Sequence, residues 1–501
     1  MVSKVSKLKG ENKMRFEEFE LYKGNYNIVP IEKEILSDIK TPIQVLKILK
    51  GLSHHVFMLE SVEQQERWGR YTFLGFDPKM EVTCIDNQMR IRDNEKDETI
   101  TVSHPKEELR KILNNYKSPT LNNLPSFTGG LVGYFSYDYA KYAERNLKLD
   151  AKDEEGFKDV DLMLFDKVIA FDNLKSKIII MVNARVDVEN LRDEYDKAIN
   201  EIDVIVDAIK KGDEPVLIPG KLKSDYRALF SQDEFCEMVE KAKKYIYEGD
   251  IFQVVLSNRF EADYEGSLLN TYRLLRTINP SPYMFYISSD DIEVAGASPE
   301  TLVKLEDKML HTYPLAGTRK RGEDEEEDKE LEISLLNDEK EKAEHNMLVD
   351  LGRNDIGKIS KFGSVKVDKY MNIERYSHVM HIGSTVSGEL DDTKYDALDA
   401  VDAILPAGTL SGAPKRRAME IINELENNKR GLYGGAIGYI DFTGNLDTCI
   451  AIRLAFKKNG KVFVRSGAGI VADSVPINEY HETINKAKAV IEAISNGQEE
   501  L

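Results

Sequence analysis

The sequence predicts an α+β fold, and more specifically a layered antiparallel β-sandwich with helices packed outside it. Short apolar runs with the length of buried strands recur along the chain, and Lys177-Ile-Ile-Ile-Met-Val182 is the clearest of them. Charged segments with helical periodicity separate these runs, for example from about Glu189 to Lys211. No unit of about 20 to 50 residues repeats, which argues against a solenoid or a propeller. Mixed strands and helices without a repeat are typical of layered packing.

The chain divides into three parts by composition. Residues 1–14 are polar and rich in lysine, and we expect a disordered tail. Residues 15–220 form a predicted N-terminal domain, which ends after the charged helix in a polar stretch containing Gly212-Asp-Glu-Pro215. Residues 228–495 form a second domain. Its predicted elements are helices at Gln232–Glu248, about Asp324–Leu351 and about Asn478–Ser495, with strands at Ile251–Ser257, Ile292–Ala297, Ala436–Phe442, Cys449–Phe456 and Val462–Ser466.

Charge and cysteine content exclude several functional classes. The net charge of −19 disfavours nucleic acid or an anionic membrane surface as a partner. The three cysteines (Cys84, Cys236 and Cys449) form no CxxC pair, so neither a disulfide framework nor a structural zinc site is expected. The N-terminus lacks the apolar segment of a secretory signal, and no apolar run approaches the roughly 20 residues of a membrane helix. We therefore predict a cytoplasmic protein.

Two pairs of glutamates could bind a cation. Glu341 and Glu344 are three residues apart on the long acidic helix and share a face with Leu348, which predicts that they point inward. A solvated acidic face is an equally good interpretation. Glu479 and Glu482 have the same spacing at the start of the last helix, where carboxylates are also favoured by the helix dipole. Together the pairs offer the oxygen ligands that Mg²⁺ prefers.

A candidate anion site lies further along the chain. In the predicted strand Cys449–Phe456, Arg453 alternates with small residues, which leaves space for a ligand that its guanidinium would bind. An exposed arginine is the alternative. Tyr433 precedes this strand, and the glycines of Ser466-Gly-Ala-Gly469 could present main-chain amides to an anion, although an ordinary turn is more common. The combination favours a small polycarboxylate.

Nine ordered motifs resemble those of the chorismate-binding enzyme family, and they extend over about residues 228–490. They are Ser298-Pro-Glu300-Thr, Pro314-Leu-Ala-Gly-Thr-Arg319, Glu344-His-Asn-Met-Leu-Val-Asp-Leu-Gly-Arg-Asn-Asp355, Tyr376-Ser-His-Val-Met-His381, Gly408-Thr-Leu-Ser-Gly-Ala-Pro-Lys415, Tyr433-Gly-Gly-Ala, Asp447-Thr-Cys-Ile-Ala-Ile-Arg453, Gly467-Ala-Gly469 and Glu482-Thr-Ile-Asn-Lys486. The resemblance implies the chorismate-binding-enzyme fold. Members of the family include anthranilate, aminodeoxychorismate, isochorismate and salicylate synthases.

Two positions favour one reaction among these. Members that use water have a lysine where this chain has Gln253, and aminodeoxychorismate synthases typically have a nucleophilic lysine where it has Ala316. The resemblance therefore implies the anthranilate synthase reaction, in which ammonia attacks C2 of chorismate and pyruvate is eliminated. Aminodeoxychorismate synthase is the nearest alternative. A catalytically inactive subunit that senses tryptophan is an alternative of a different class.

The resemblance also implies a role for each matched residue. Arg453 and Tyr433 would bind the enolpyruvyl carboxylate, and Gly467, Ala468 and Gly469 would bind the ring carboxylate together with Mg²⁺. Glu344 and Glu482 would bind the metal directly, with Glu341 and Glu479 supporting them or acting through water. The implied catalytic residues are Glu300, which would protonate the leaving C4 hydroxyl, His381 and Thr318. Gly317, Thr318 and Thr409 would line the pocket.

The first half of the chain resembles the companion domain of the same family. Met58-Leu-Glu-Ser61 and Asn279-Pro-Ser-Pro-Tyr-Met284 match segments that bind tryptophan in feedback inhibition, which implies a site containing Ser61, Pro282, Tyr283 and Met284. Ordinary packing is the alternative for each segment. This chain has no plausible cysteine–histidine amidotransferase motif, so the resemblance implies a separate glutaminase (glutamine amidotransferase) subunit and a hetero-oligomer.

Overall fold

The computed structural model describes residues 14–61, 69–144, 146–376 and 379–499. Nearly all of the expected N-terminal tail, residues 1–13, lies outside these ranges, and so do Ser377 and His378 of one family motif.

Twelve α-helices occur within the described residues. They are α1 (Phe16–Phe19), α2 (Pro42–Leu52), α3 (Pro105–Asn114), α4 (Ala140–Ala143), α5 (Leu191–Lys211), α6 (Gln232–Tyr247), α7 (Leu269–Ile278), α8 (Glu325–Leu336), α9 (Glu339–Gly357), α10 (Ala397–Ile404), α11 (Lys415–Glu426) and α12 (Pro476–Asn496). The predicted helix Asp324–Leu351 is therefore wrong as a single element. The Asp338 side chain accepts hydrogen bonds from the amides of Lys340 and Glu341, and this N-cap starts α9 as a separate helix.

Strands make up most of the remaining ordered chain. They are β1 (Ile28–Leu36), β2 (Val56–Glu60), β3 (Tyr71–Phe76), β4 (Met80–Ile85), β5 (Gln88–Asp93), β6 (Asp97–Thr101), β7 (Gly130–Phe135), β8 (Val160–Phe165), β9 (Lys167–Asp172), β10 (Lys177–Arg185), β11 (Lys221–Leu222), β12 (Arg227–Ala228), β13 (Gln253–Glu265), β14 (Tyr283–Ser288), β15 (Glu293–Ser298), β16 (Thr301–Glu306), β17 (Met309–Thr312), β18 (Leu315–Lys320), β19 (Lys366–Arg375), β20 (Val379–Glu389), β21 (Gly412–Ala413), β22 (Ala436–Asp441), β23 (Leu446–Ile450), β24 (Leu454–Lys458) and β25 (Lys461–Ile470).

These strands form two large antiparallel sheets in the described chain. The first has the order β1-β10-β9-β3-β2-β14-β15-β24-β25-β13-β11, with β12 and β21 also paired to β13. The second has the order β18-β20-β17-β16-β23-β22-β7-β8-β4-β5-β6, with β19 paired to β20. Both sheets contain strands from before and after the boundary predicted near residues 212–227, so neither sheet is divided there. The division into two domains stays a prediction.

The two sheets pack face to face around an aromatic core. Phe57, Phe165 and Phe285 come from different strands of both sheets and belong to one buried cluster. A second cluster packs α2, α5, α7 and α12 onto the other face of the first sheet, and a third packs α3, α9 and α10 onto the second sheet. This arrangement confirms the predicted α+β sandwich with helices outside. Across the described residues, every helix is too short or too polar to cross a lipid bilayer.

Candidate active site

The candidate site lies where the chain passes twice from one sheet to the other. Pro299 and Glu300 connect β15 of the first sheet to β16 of the second, and residues 451–453 connect β23 of the second sheet to β24 of the first. The two connections are adjacent, because the Ile450 amide donates to the Glu300 carbonyl at 2.9 Å and the Ala297 amide donates to the Arg453 carbonyl at 3.1 Å. The sandwich therefore brings Glu300 and Arg453 to the same place.

The predicted continuous strand Cys449–Phe456 is wrong for this reason. Its first residues belong to β23 and its last to β24, and Arg453 has a φ of +52° that no strand accommodates. Apolar and small residues alternate within each of these two short strands, so the alternation continues past the bend between them. The sequence pattern therefore gave no sign that the chain changes sheets there. Arg453 extends from this bend toward α12, where its Nη1 donates to the Lys486 carbonyl at 2.5 Å.

A cavity of ≈ 750 Å³ opens beside the two connections. It brings together thirteen of the predicted catalytic, substrate-binding and metal-binding residues, namely Glu300, Gly317, Thr318, Glu341, Glu344, His381, Thr409, Tyr433, Arg453, Gly467, Gly469, Glu479 and Glu482. Ala468 does not line the cavity: its side chain is buried with Val254 and Leu256 on the opposite face of β25.

The glycines of this segment lie inside a strand, not in a turn after one as expected. Gly467 and Gly469 pair with Ser257 and Val255 of β13. A β-carbon at Gly467 would lie 2.8 Å from the Tyr433 hydroxyl oxygen, and one at Gly469 would lie 2.7 Å from Gln253 Nε2. The glycines therefore keep this wall of the cavity open and allow both polar side chains to approach the main chain.

Glu300 has the surroundings of an acid. The Thr409 hydroxyl donates to Glu300 Oε1 at 3.1 Å. Burial raises the pKa of Glu300 to about 7, although Thr409 and the nearby charge of Lys486 oppose the shift. A large fraction of Glu300 is therefore protonated near neutrality, as an acid that donates to a leaving group requires.

His381 is held by the turn that contains Gly317 and Thr318. Its Nδ1 lies 2.7 Å from the Gly317 carbonyl oxygen and 3.1 Å from the Thr318 hydroxyl. Burial lowers the pKa of His381, and the charge of Arg453 adds to this effect. A carbonyl accepts only from a protonated nitrogen, so the neutral ring carries its proton on Nδ1 and leaves a lone pair on Nε2.

The two glutamate pairs face the cavity from α9 and α12. Burial raises the pKa of Glu341, and the charge of Glu344 raises it further. Burial also raises the pKa of Glu479, with a further contribution from Glu482. Nearby cations offset this repulsion only in part, because the pKa of Glu341 and that of Glu479 both remain raised, and a bound cation would relieve it further. All four side chains are half-buried, so neither pair lies on a fully solvated face.

The donor set fits Mg²⁺ as an open site. Across the ranges that the structure describes, no three of these glutamates bring carboxylate oxygens within 4.8 Å of one another. Such spacing does not form a closed protein cage, and it leaves positions for water and for an anionic ligand, as Mg²⁺ sites usually do. Glu482 is also paired with Lys486 at 2.6 Å, so binding a cation through both oxygens would require this pair to loosen.

Another part of the cavity wall is positively charged. Arg465 lines the cavity beside Arg453, and behind it Glu426 is shared between Arg465 and Arg430. Two guanidinium groups to one carboxylate leave a net positive charge beneath this wall. Arg465 and Lys486 were not among the predicted site residues. Lys486 was within a family motif, whereas no spacing signal pointed to Arg465.

The two residues that distinguish among the family's reactions also line this cavity. Gln253 and Ala316 both contribute to its surface. A glutamine amide and a methyl group are neutral and cannot act as a base or as an amine nucleophile. Gln253 and Ala316 therefore lie in the cavity where the lysines of other family members would act, and they cannot perform the same chemistry.

A second cavity of ≈ 250 Å³ contains the four residues predicted to bind tryptophan, Ser61, Pro282, Tyr283 and Met284. The Tyr283 hydroxyl donates to Asp447 Oδ1 at 2.8 Å. Among the described residues, the buried Ser61 hydroxyl has no hydrogen-bond partner, which would be costly unless a ligand or water supplies one. Arg70, which is paired with Asp172 at 3.0 Å, also lines this cavity.

Comparisons with known proteins agree with this geometry. The family model described as "chorismate binding enzyme" matches residues 54–492. The chain is 48% identical over 490 residues to anthranilate synthase component 1 of Acetivibrio thermocellus, covering 96% of this chain and 98% of that protein. It is 45% identical over 491 residues to the protein of the same name from Aquifex aeolicus (strain VF5), covering 97% and 98%. The solved structure of anthranilate synthase component I from Streptococcus pneumoniae TIGR4 superposes with a TM-score of 0.75 at 37% identity, covering 91% of this chain and 98% of that one.

Proposed function

The chain belongs to the chorismate-binding enzyme family, and from that premise we propose that it is the large subunit of an anthranilate synthase. It would convert chorismate and ammonia to anthranilate and pyruvate, the first committed step of tryptophan biosynthesis. The near full-length similarity to proteins named anthranilate synthase component 1 supports this choice within the family.

One observation carries the proposal: a protonatable Glu300 shares a cavity with Arg453 and with two pairs of glutamates. Chorismate has two carboxylates and a hydroxyl that must leave. The positive wall suits one carboxylate, the cation site suits the other, and Glu300 suits the hydroxyl. Gln253 and Ala316 support attack by ammonia, since neither can generate a water nucleophile or attack C2 itself.

The residues of the chain would act in the following order. Arg453 and Tyr433 bind the enolpyruvyl carboxylate, and burial raises the pKa of Tyr433 to about 12, so its hydroxyl remains a donor. Ammonia forms a bond to C2, the ring double bonds shift, and the C4–oxygen bond breaks as Glu300 donates its proton to form water. The ammonium group formed at C2 loses a proton to solvent. Loss of the C2 proton to a base then breaks the C3–oxygen bond and makes the ring aromatic, and the enolpyruvate that leaves takes up a proton to become pyruvate. His381 lines the same cavity, and its proton on Nδ1 would leave Nε2 as a neutral hydrogen-bond acceptor there.

Glu344 and Glu482 would hold Mg²⁺, with Glu341 and Glu479 supporting them. When bound, the ion would withdraw electron density through the ring carboxylate and ease departure of the C4 hydroxyl. The pKa of Glu341 and that of Glu479 are both raised, and a bound cation would stabilise the charged form of these two carboxylates.

A partner and a regulator complete the proposal. A cytoplasmic glutaminase subunit would supply ammonia in a hetero-oligomer, and the naming of the relatives as component 1 supports a second component. Tryptophan would inhibit from the second cavity. The unpartnered Ser61 hydroxyl and the Arg70 side chain there suit the polar groups of an amino acid.

The test is a product assay on the isolated chain with chorismate, Mg²⁺ and an ammonium salt at alkaline pH. Fluorescent anthranilate with an equal amount of pyruvate is expected. Accumulation of a non-aromatic aminated product would indicate an aminodeoxychorismate synthase instead. Absence of any turnover, with tryptophan binding intact, would indicate an inactive sensor.

A further inference from the structure

Three buried charges form a cluster next to the main cavity. Glu426, Arg430 and Arg465 are 3%, 2% and 4% exposed. Glu426 contacts Arg430 Nη2 at 2.6 Å and Arg465 Nη2 at 2.7 Å, and it also accepts from the amide and the hydroxyl of Ser257. Burying charges is expensive, and apolar replacements of such clusters are often at least as stable. Stability alone is therefore a weak reason for this cluster.

Arg430 uses its remaining donors on the main chain of the cavity wall. Its Nη1 donates to the Leu410 carbonyl at 2.6 Å and its Nη2 to the Val255 carbonyl at 2.7 Å. Leu410 and Val255 both line the cavity, whereas Arg430 and Glu426 do not. The Val255 amide also donates to the Ser411 carbonyl at 2.9 Å. One planar guanidinium thus joins β13 to the segment that follows α10.

That segment includes the residue that contacts the proposed acid. Gly408–Leu410 is a single 3₁₀ turn, closed by the Leu410 amide donating to the Ala407 carbonyl at 3.1 Å. Thr409 in this turn donates to Glu300. A one-turn element has little regular hydrogen bonding of its own, so external contacts decide its orientation.

We propose that Arg430 and Glu426 are positioning residues, which hold the Gly408–Leu410 turn so that Thr409 orients the Glu300 carboxyl toward the leaving group. They do so without touching the substrate. The catalytic part of this inference rests on the proposed function, while the geometric part can be tested independently of it.

The first experiment compares Arg430→Lys, Thr409→Val and the double variant by the product assay. Lysine keeps the charge beside Glu426, but a single ammonium cannot reproduce the planar arrangement that serves two carbonyls and a carboxylate. We expect each single variant to lower kcat about tenfold with the KM for chorismate changed less than about twofold. The double variant should lose less than about twofold more than Arg430→Lys alone, because both changes release the same contact.

The control is Lys167→Gln, which removes the charge of another buried cation and its ion pairs with the exposed carboxylates of Asp77 and Glu201. Lys167→Gln should lower the Tm, and in a double variant its effect on kcat should be independent of that of Thr409→Val. If Arg430→Lys does not fold, Glu426→Gln replaces it, since the amide keeps the volume and part of the hydrogen bonding. Losses that multiply in the double variant, or a kcat that stays unchanged, would overturn the proposal.

A crystal structure of the Arg430→Lys chain gives a result that does not depend on turnover. We expect Thr409 Oγ1 to move beyond hydrogen-bond distance from Glu300. Wild-type chain that makes no anthranilate contradicts the proposed function alone, whereas an undisturbed Thr409–Glu300 bond in this variant contradicts the positioning role alone.

Discussion

The Thr409 hydroxyl donates a 3.1 Å hydrogen bond to Oε1 of Glu300, although the two residues are 109 positions apart. One of them follows a strand of the first sheet, and the other lies on a turn after α10. The bond occupies one oxygen of a carboxyl whose pKa burial raises to about 7. The second oxygen can then carry the proton that a leaving hydroxyl requires.

Replacing this acid should remove most of the catalysis. Glu300→Gln keeps the size and the contact with Thr409 but cannot donate a proton, so we expect kcat to fall by about 100-fold or more. Anthranilate fluorescence measures the rate, and calorimetry with chorismate should show an affinity within about threefold of the wild type. A variant that retains most of its kcat would show that the proton comes from elsewhere.

Arg453 should act mainly in binding. Arg453→Lys keeps the charge but loses the planar pair of donors, and a charge-assisted hydrogen bond is worth about 1.5–3 kcal/mol, so KM for chorismate should rise by about 10-fold to 100-fold. Steady-state kinetics over a range of chorismate concentrations provide the measurement. Arg90→Lys, at a surface pair with Asp97, is the matched control and should leave KM unchanged. An equal loss in kcat with constant KM would contradict a binding role.

The same arginine shows what the sequence could and could not predict. Residue spacing predicted the layered α+β packing, the helices α5, α6 and α12 and several strands, because burial imposes a regular period on a regular element. Residue spacing failed at Arg453, where a bend ends a strand, and at Asp338, where an N-cap starts a new helix. In both places the apolar pattern continues across the break. The assembly of Glu300 with Arg453 was implied only by resemblance, since two crossings between the sheets create it and no local period in the sequence records them.

Removal of Mg²⁺ tests the glutamate pairs. Treatment with EDTA should abolish anthranilate formation, and added Mg²⁺ should restore it. Glu344→Gln and Glu482→Gln each remove one charged ligand, so the Mg²⁺ concentration for half-maximal activity should increase by about tenfold or more. Glu339→Gln, on the exposed side of the same helix as Glu344, is the control. Full activity after removal of divalent ions would contradict the metal assignment.

Filling the second cavity should abolish inhibition without abolishing turnover. Ser61→Phe places a ring in a space of ≈ 250 Å³ lined by Tyr283 and Met284. Tryptophan should then inhibit at least about tenfold more weakly, because overpacking excludes the ligand. The measurement is the tryptophan concentration for half inhibition, with Ser495→Phe at an exposed position of the last helix as a control. Unchanged inhibition would remove the assignment of this cavity.

The link between the sheets at His55 should make stability depend on pH. His55 Nε2 lies 2.6 Å from Glu81 of the second sheet and 3.3 Å from Asp290, in the turn between β14 and β15 of the first. Hydrogen bonding and attraction by Glu81 raise the pKa of His55 above its usual value, against the effects of burial and of Arg92. The protonated form is therefore favoured in the folded chain.

The direction of the effect follows from linkage. A raised folded-state pKa adds stability that is fully present below the unfolded value of about 6.5 and is lost as the pH rises through the folded value. The Tm of the wild type should therefore fall from pH 6 toward pH 8 by more than that of His55→Gln, which cannot be protonated. His54→Gln, at the exposed neighbouring position, should follow the wild type. Parallel Tm curves for His55→Gln and the wild type would show that the imidazole is neutral throughout and that Arg92, which contacts Asp290 of the first sheet at 2.5 Å, joins the sheets by itself.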